Sequence, residues 1–419
     1  MEYVPRIVDA TVGQQLRAAG ALLIRGPKGC GKTETGRRHS RSELDVEGDP
    51  RVATVIEVDP AILLQGDSPR LIDEWQQRPV LWNAVRREVD RRRAKGQFIL
   101  TGSSTPRPEP AGGPRRHSGV GRFAILDMRT MSWRELGWAS GDVTLAGLFA
   151  GAPITPAESS CSLGQLAERL VVGGWPANLG LSAADAQTNN ANYFELLVEE
   201  DAARAWGVRR DAAKVRRALR SLARNAATEC SLATLAADSG GADGPLSEET
   251  VAEYVNAFDA LMVREDQSVW NTHIRSSARL RRRPKRHLAD PSLCCAALGL
   301  GPDRLLQDLE YMGLLFESAV VHDLRVYAAA LGGKVYHYRD SNGVEADAVV
   351  ELPDGAWVGV EVKLGFGAVD AAAASLTRFA AVVDQSRVGA PAALIVVTGS
   401  GIAHRRNDGV TVAPFGLLG

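Results

Sequence analysis

Along the first third of the chain, short apolar runs alternate with segments of helical periodicity. ALLIRG (21–26), VATVIEVD (52–59), RLID (70–73) and QFILTG (97–102) are β-rich and end in polar residues, whereas VLWNAVRREVDRRRAK (80–95) places apolar side chains at helical spacing. This alternation predicts an α/β fold with a parallel sheet whose functional loops follow the carboxyl ends of the strands. From Ser132 to Arg224 the pattern is mostly helical. Two short periodic segments then flank a Gly/Asp/Pro break in CSLATLAADSGGADGPLSEETVAEYVNAFDALMVRE (230–265), with Ser247 as N-cap and Glu248 and Glu249 in the first turn, which predicts a helix-turn-helix. Beyond Glu317 the α/β pattern returns: a helix through Ala330, strands KVYHYRD, EADAVVEL and WVGVEVKL, a helix from Val369 to Val382, and a last strand AALIVVTG. The expected organisation is therefore multi-domain: a parallel-sheet core (1–130), a helical region (131–224), a winged-helix-like region (225–300) and a C-terminal α/β domain (301–419).

Composition narrows the setting. At 419 residues, with 45% hydrophobic and 24% charged residues, the chain has no apolar run long enough to cross a bilayer and no basic, apolar secretory start. Five cysteines without a CxxC pair suit a reducing compartment, so a cytoplasmic protein without membrane contact is expected. The net charge of −1 hides one local concentration, HIRSSARLRRRPKRH (273–287), with seven Arg or Lys and no acid, a candidate clamp for nucleic-acid phosphates.

The most specific chemistry lies in GPKGCGKT. Gly26, Pro27, Lys28, Gly29, Cys30, Gly31, Lys32 and Thr33 satisfy GxxxxGK[ST] between an apolar strand and a helical run. Such a loop turns its amides towards phosphate oxygens at a helix N-terminus, while Lys32 reaches the outer phosphates and Thr33 the Mg²⁺ of bound ATP. RLIDEWQ supplies Asp73 to hold the same Mg²⁺ and Glu74 to orient or deprotonate an attacking water. FILTGSS then presents Ser103, or alternatively Thr101, as a sensor of the γ-phosphate, and PRRHSGVGRF carries Arg115, Arg116 and Arg122. Of these, Arg122 is the candidate arginine finger, acting on its own chain or on a neighbour's nucleotide. Cys30 either fills space within the loop or exposes ATP binding to thiol reagents.

GPKGCGKT, LIDEWQ, FILTGSS and RHSGVGR, joined later by GGWP (173–176), the helix-turn-helix and RRRPKRHLADPSL, resemble a group of prokaryotic AAA+ ATPases whose C-terminal half is a domain of unknown function. The resemblance covers nearly the whole chain and implies Mg-ATP as ligand and a ring or other homo-oligomer. The C-terminal order is a helix bearing Glu317, a strand bearing Asp347, then Glu361 and Lys363 on one face of the next strand. This resembles the PD-(D/E)xK nucleases, and it implies a metal held by Asp347 and Glu361, with Glu317 nearby and Lys363 positioning water. The expected protein is an ATP-binding and hydrolysing AAA+ ATPase acting on or near nucleic acid, with DNA as a candidate partner. Two alternatives are an ATP-dependent nuclease and a nucleotide-regulated scaffold with little turnover. Against direct base reading, the second helix of the helix-turn-helix carries Glu248, Glu249, Glu253 and Asp259, which would repel DNA.

Overall fold

A computed structural model describes residues 3–103, 117–203, 205, 208–241, 244–271 and 283–419. Arg115, Arg116 and most of the basic stretch at 273–287 lie outside the described residues. The chain divides into two compact units, Met1–Thr130 with Ala205–Val208 and Ala257–Met262, and Met131–Arg204 with Arg209–Asn256 and Val263–Gly419.

The first unit is built on a five-stranded parallel sheet. Its strands are β1 (Ala21–Arg25), β2 (Ser42–Asp45), β3 (Arg70–Asp73), β4 (Phe98–Gly102) and β5 (Phe123–Asp127), in the spatial order β2-β3-β4-β1-β5. Ala21, Leu22, Leu23 and Ile24 are all buried, as expected of a central parallel strand covered on both faces. The intervening helices are α1 (Asp9–Ala18), α2 (Lys32–Arg38), α3 (Arg51–Val58) and α4 (Val80–Arg92). One core gathers Leu23, Ile72, Trp82, Val85 and Leu100, and a second gathers Val12, Leu22, Ile24, Leu71 and Ile99.

The segment VATVIEVD corrects the sequence expectation, because it is helix α3 rather than a strand. Val52 is buried and Val55 and Ile56 pack beside it, which is the i, i+3, i+4 stripe of a helix, while Val58 is 76% exposed. Its β-branched residues favour a strand locally, but tertiary packing decides the outcome. The strand in this region is β2, a short polar edge segment without an apolar signature.

In the second unit, helices α5 (Leu145–Phe149), α6 (Leu163–Val172), α7 (Ala183–Leu196), α8 (Ala212–Arg224) and α9 (Leu232–Asp238) precede α10 (Glu248–Ala260), whose residues up to Asn256 belong to this unit. Ser162 and Gln165 close a capping box on α6, and Ser247 accepts the Thr250 amide at 3.1 Å, the cap expected for α10. After α11 (Pro291–Leu298), α12 (Pro302–Gln307) and the long buried helix α13 (Leu309–Ala330) come six strands of a seven-stranded mixed sheet. It comprises β6 (Ala157–Ser159), β7 (Lys334–Arg339), β8 (Glu345–Glu351), β9 (Trp357–Lys363), β10 (Ala393–Thr398), β11 (Gly401–Arg405) and β12 (Thr411–Pro414), ordered β6-β11-β12-β10-β9-β8-β7. Thus β10 is not the last strand: β11 and β12 follow it, and β12 pairs parallel beside β10. Helix α14 (Val369–Val382) covers the sheet through Leu376 and Phe379, which join Trp270, Trp357 and Val396 in a core.

GGWP and LADPS, distant in sequence, meet in this unit. The Gly174 amide donates to Asp290 at 2.9 Å and the Trp175 indole to Ser292 at 3.0 Å. Gly174 has no room for a side chain, since a Cβ there would lie 2.1 Å from the Met131 carbonyl oxygen.

Candidate nucleotide site and C-terminal carboxylate cluster

Residues 26–31 leave the carboxyl end of β1 and enter α2 with Gly31 at φ 100°, a left-handed conformation that only glycine adopts readily. Gly26 approaches the chain beyond β5 so closely that a Cβ would fall 2.1 Å from the Met128 carbonyl oxygen. Lys32 is buried and its ammonium folds back over the loop, donating to the Pro27 carbonyl at 2.9 Å. Arg6, which the sequence reading passed over, braces the loop from below by donating to the carbonyls of Cys30 at 3.0 Å and Arg129 at 2.9 Å. No periodicity marks such a role, because it depends on a contact between segments remote in sequence. Cys30 is buried beneath the loop, which places it as a filler of space rather than an exposed thiol.

Because β4 stands between β1 and β3, the acidic end of β3 faces the start of α2. The Thr33 hydroxyl lies 3.0 and 3.2 Å from the two carboxylate oxygens of Asp73. Thr101, at the end of β4, also donates to Asp73, whereas Ser103 reaches Glu74 at 3.3 Å. The two residues weighed for one sensor position therefore serve different acids. Glu74 sits at φ 52°, an uncommon backbone for a residue with a side chain, and Gln76 donates to its carboxylate. Burial raises its pKa above the ordinary glutamate value, opposed by the Gln76 bond and the charge of Lys32.

Arg122 lies at the other edge of the sheet. Its carbonyl accepts the Ala21 amide at 3.1 Å, at the beginning of β1, and its guanidinium pairs with Asp90 at 2.9 Å. The phosphate loop begins after Arg25, so roughly 13 Å of strand, at about 3.3 Å per residue, intervenes. Arg122 is not brought to the nucleotide loop of its own chain.

Thr33 and Asp73 fit a magnesium ion: a hydroxyl and a carboxylate side by side are the few hard oxygen donors that Mg²⁺ takes from protein, the rest coming from water and phosphate. Among the described residues no group of three or more His, Cys, Asp or Glu side chains is arranged to hold a metal without such help.

In the second unit the four expected residues do converge. Lys363 lies 2.9 Å from Glu361 and 3.5 Å from Asp347, so the strand alternation places them as expected. The Val362 amide donates to Asp347 at 2.8 Å. A fifth residue was missed: Lys285 reaches Glu317 at 2.6 Å and Asp347 at 3.4 Å. Its place in a run of basic residues disguised it as a surface charge. Arg286 likewise turns inward to Asp266, so these two basic residues of that stretch are engaged within the chain.

Burial pushes Glu317 up to about 8, helped by the charge of Asp347. Burial and Asp347 also push Glu361 up to about 7. Asp347 itself is held low, because Lys285 and Lys363 outweigh its own burial. Burial opposes charge on Lys285, yet Glu317 and Asp347 hold its pKa above the ordinary lysine value.

Comparison with known proteins bears on the domains that carry these sites. Residues 18–137 match the family model of an AAA domain, residues 163–304 a domain of unknown function (DUF8612), and residues 312–418 another domain of unknown function (DUF4143). Two uncharacterized proteins, from Mycobacterium bovis and Mycobacterium tuberculosis, are each 28% identical over 362 residues, covering 85% of this chain and 73% of the relative. The match supports an AAA-type domain over residues 18–137. No helix among the described residues is long and apolar enough to cross a membrane.

Proposed function

We propose that the first unit binds ATP with Mg²⁺ and hydrolyses it. The observation that carries this reading is the meeting of Lys32, Thr33, Asp73 and Glu74 at the carboxyl ends of β1 and β3, around a loop that glycine alone lets turn. Amides of residues 28–33 cradle the phosphates at the N-terminus of α2, and the Lys32 ammonium exchanges the Pro27 carbonyl for an outer phosphate oxygen. Thr33 and Asp73 would hold Mg²⁺, which when bound neutralises charge on the phosphates. Thr101 fixes the Asp73 carboxylate, and Glu74 accepts a proton from the attacking water while Ser103 and Gln76 hold its orientation.

Phosphate release measured beside ATP binding tests this directly. Glu74→Gln is expected to bind ATP as the intact chain does and to release phosphate roughly 10²–10⁴ times more slowly, the usual contribution of a general base. Equal near-background release in both proteins would favour a nucleotide-regulated scaffold instead.

In a homo-oligomer, Arg122 is the arginine proposed to meet a neighbouring chain's nucleotide. Turnover per chain that rises with protein concentration in the intact protein but not in Arg122→Ala is the expected outcome. A role on or near nucleic acid is proposed for the basic stretch rather than for α10, whose exposed residues include Glu248, Glu249, Glu253 and Asp259. The two helices α9 and α10, followed by antiparallel bridges Arg264–Leu288 and Gln267–Lys285, support a winged-helix-like reading of this region.

A further inference from the structure

The C-terminal cluster differs from a metal site in one respect: a cation is already part of it. Lys285 lies between Glu317 at 2.6 Å and Asp347 at 3.4 Å, with its side chain only 14% exposed. It is held there by its backbone. The Lys285 amide donates to the Gln267 carbonyl at 3.0 Å and the Gln267 amide returns a bond to the Lys285 carbonyl at 2.9 Å. The Gln267 side chain in turn donates to the carbonyls of Tyr336 at 2.9 Å and Asp347 at 3.0 Å. Two positions on, His287 bonds Ser318 of α13 at 2.7 Å and the Gln267 side-chain oxygen at 3.2 Å. The segment bearing Lys285 is thereby locked in register against both the sheet and the helix that supply the acids.

The donor inventory points the same way. Asp347 spends one oxygen on Lys285 and the other on the Val362 amide and Lys363, and Glu361 spends Oε1 on Lys363. Only Oε2 of Glu361 is left buried without a hydrogen-bond partner within this cluster, among the described residues. With Lys285 and Lys363 each holding carboxylate oxygens of Glu317, Asp347 and Glu361, the cluster does not offer the several free oxygens that a hard divalent ion takes. Glu317, Asp347 and Glu361 against Lys285 and Lys363 leave at most one uncompensated negative charge, so a divalent ion added without the departure of a lysine would leave the buried cluster positive. The residues as arranged do not fit the metal that the PD-(D/E)xK resemblance implies.

We propose that Lys285 is a built-in cation of this cluster, occupying the place between Glu317 and Asp347 that a divalent metal would need, so that the C-terminal site takes up Mg²⁺ or Mn²⁺ only when the Lys285 ammonium is removed. Metal-assisted phosphodiester cleavage is accordingly not an activity of the intact cluster, and the fold uses its acids to anchor the wing-like pairing that carries Lys285. Electrostatics alone accounts for the exclusion, since ammonium and metal compete for the same carboxylates.

The test is Mn²⁺ titration of the full-length, nucleotide-free protein, followed by paramagnetic resonance of free Mn²⁺, in an Asp73→Asn background that silences the nucleotide-site acid. The chain with Lys285 intact is expected to show no saturable uptake. Lys285→Ala and the longer Lys285→Gln are each expected to bind one Mn²⁺ per chain, at least about tenfold more tightly than any residual binding in the parent, a difference of roughly 1.4 kcal/mol. Adding Asp347→Asn is expected to abolish that uptake, and Mn²⁺ is expected to raise the melting temperature of the Lys285 variants alone. Stoichiometric Mn²⁺ binding by the Lys285-intact chain that Asp347→Asn removes would overturn the proposal, as would folded Lys285 variants that gain none. If neither variant folds, uptake by the Lys285-intact chain decides between the same two results.

Discussion

Glu74 joins an unfavourable backbone conformation to a carboxyl group whose pKa burial has raised, and each is a cost that a surface acid would not carry. If it serves as the base, turnover must fall as acidification protonates it, and because its pKa is raised the acid limb lies above the ordinary glutamate value of about 4.3. The pH profile of kcat is expected to show that limb in the intact chain and to lose it in Glu74→Gln. Thr101→Val, which removes one of the two hydroxyl donors to Asp73, is expected to weaken Mg-dependent ATP binding more than Ser103→Ala does. In the C-terminal cluster the sign is set by the raised acids. Glu317 and Glu361 bind protons more tightly folded, at about 8 and about 7, than unfolded at the ordinary value. The second unit therefore loses stability as pH rises through that interval and gains it on acidification. Denaturant titrations between pH 5 and pH 9 are expected to show this fall, and Glu361→Gln to flatten it.

At the scale of elements, the loop and strand ends around the nucleotide were legible because their chemistry is local: GxxxxGKT and IDE each sit within a few residues, and β1 before the first is a continuous apolar run. Helix α3 was misread because its β-branched residues mimic a strand, and β2 was missed because an edge strand of four residues buries only Leu44 and shows no alternation. The same limit hid Lys285 and Arg6, whose roles arise from contacts between segments far apart in the chain. The GGWP–ADPS contact is another such case, visible as two motifs but not as one joint. Asp290 is nearly all buried and accepts from Gly174 and from the amide and hydroxyl of Ser292. Asp290→Ala leaves these donors without their acceptor and is expected to destabilise the second unit by about 2–3 kcal/mol, read from chemical denaturation.

For the molecule as a whole, an AAA-type unit and a unit matched by two domains of unknown function share one chain. The nucleotide site and the carboxylate cluster lie in different units, so nucleotide is expected to act on the stability of the first unit alone. ATP with Mg²⁺ at about 100 times its dissociation constant stabilises a folded unit by roughly 2.7 kcal/mol. Calorimetry is expected to show that gain in the unfolding of the first unit only, and Lys32→Ala to remove it without moving the second. The measurement that bears most directly on the account is equilibrium titration of the purified chain with labelled ATP in the presence of Mg²⁺, run beside Lys32→Ala. Saturable binding of one ATP per chain, weakened at least about tenfold by the substitution through the loss of a charge-assisted phosphate contact, is the predicted result. Absence of saturable binding in the folded intact chain, or equal binding in Lys32→Ala, would contradict it.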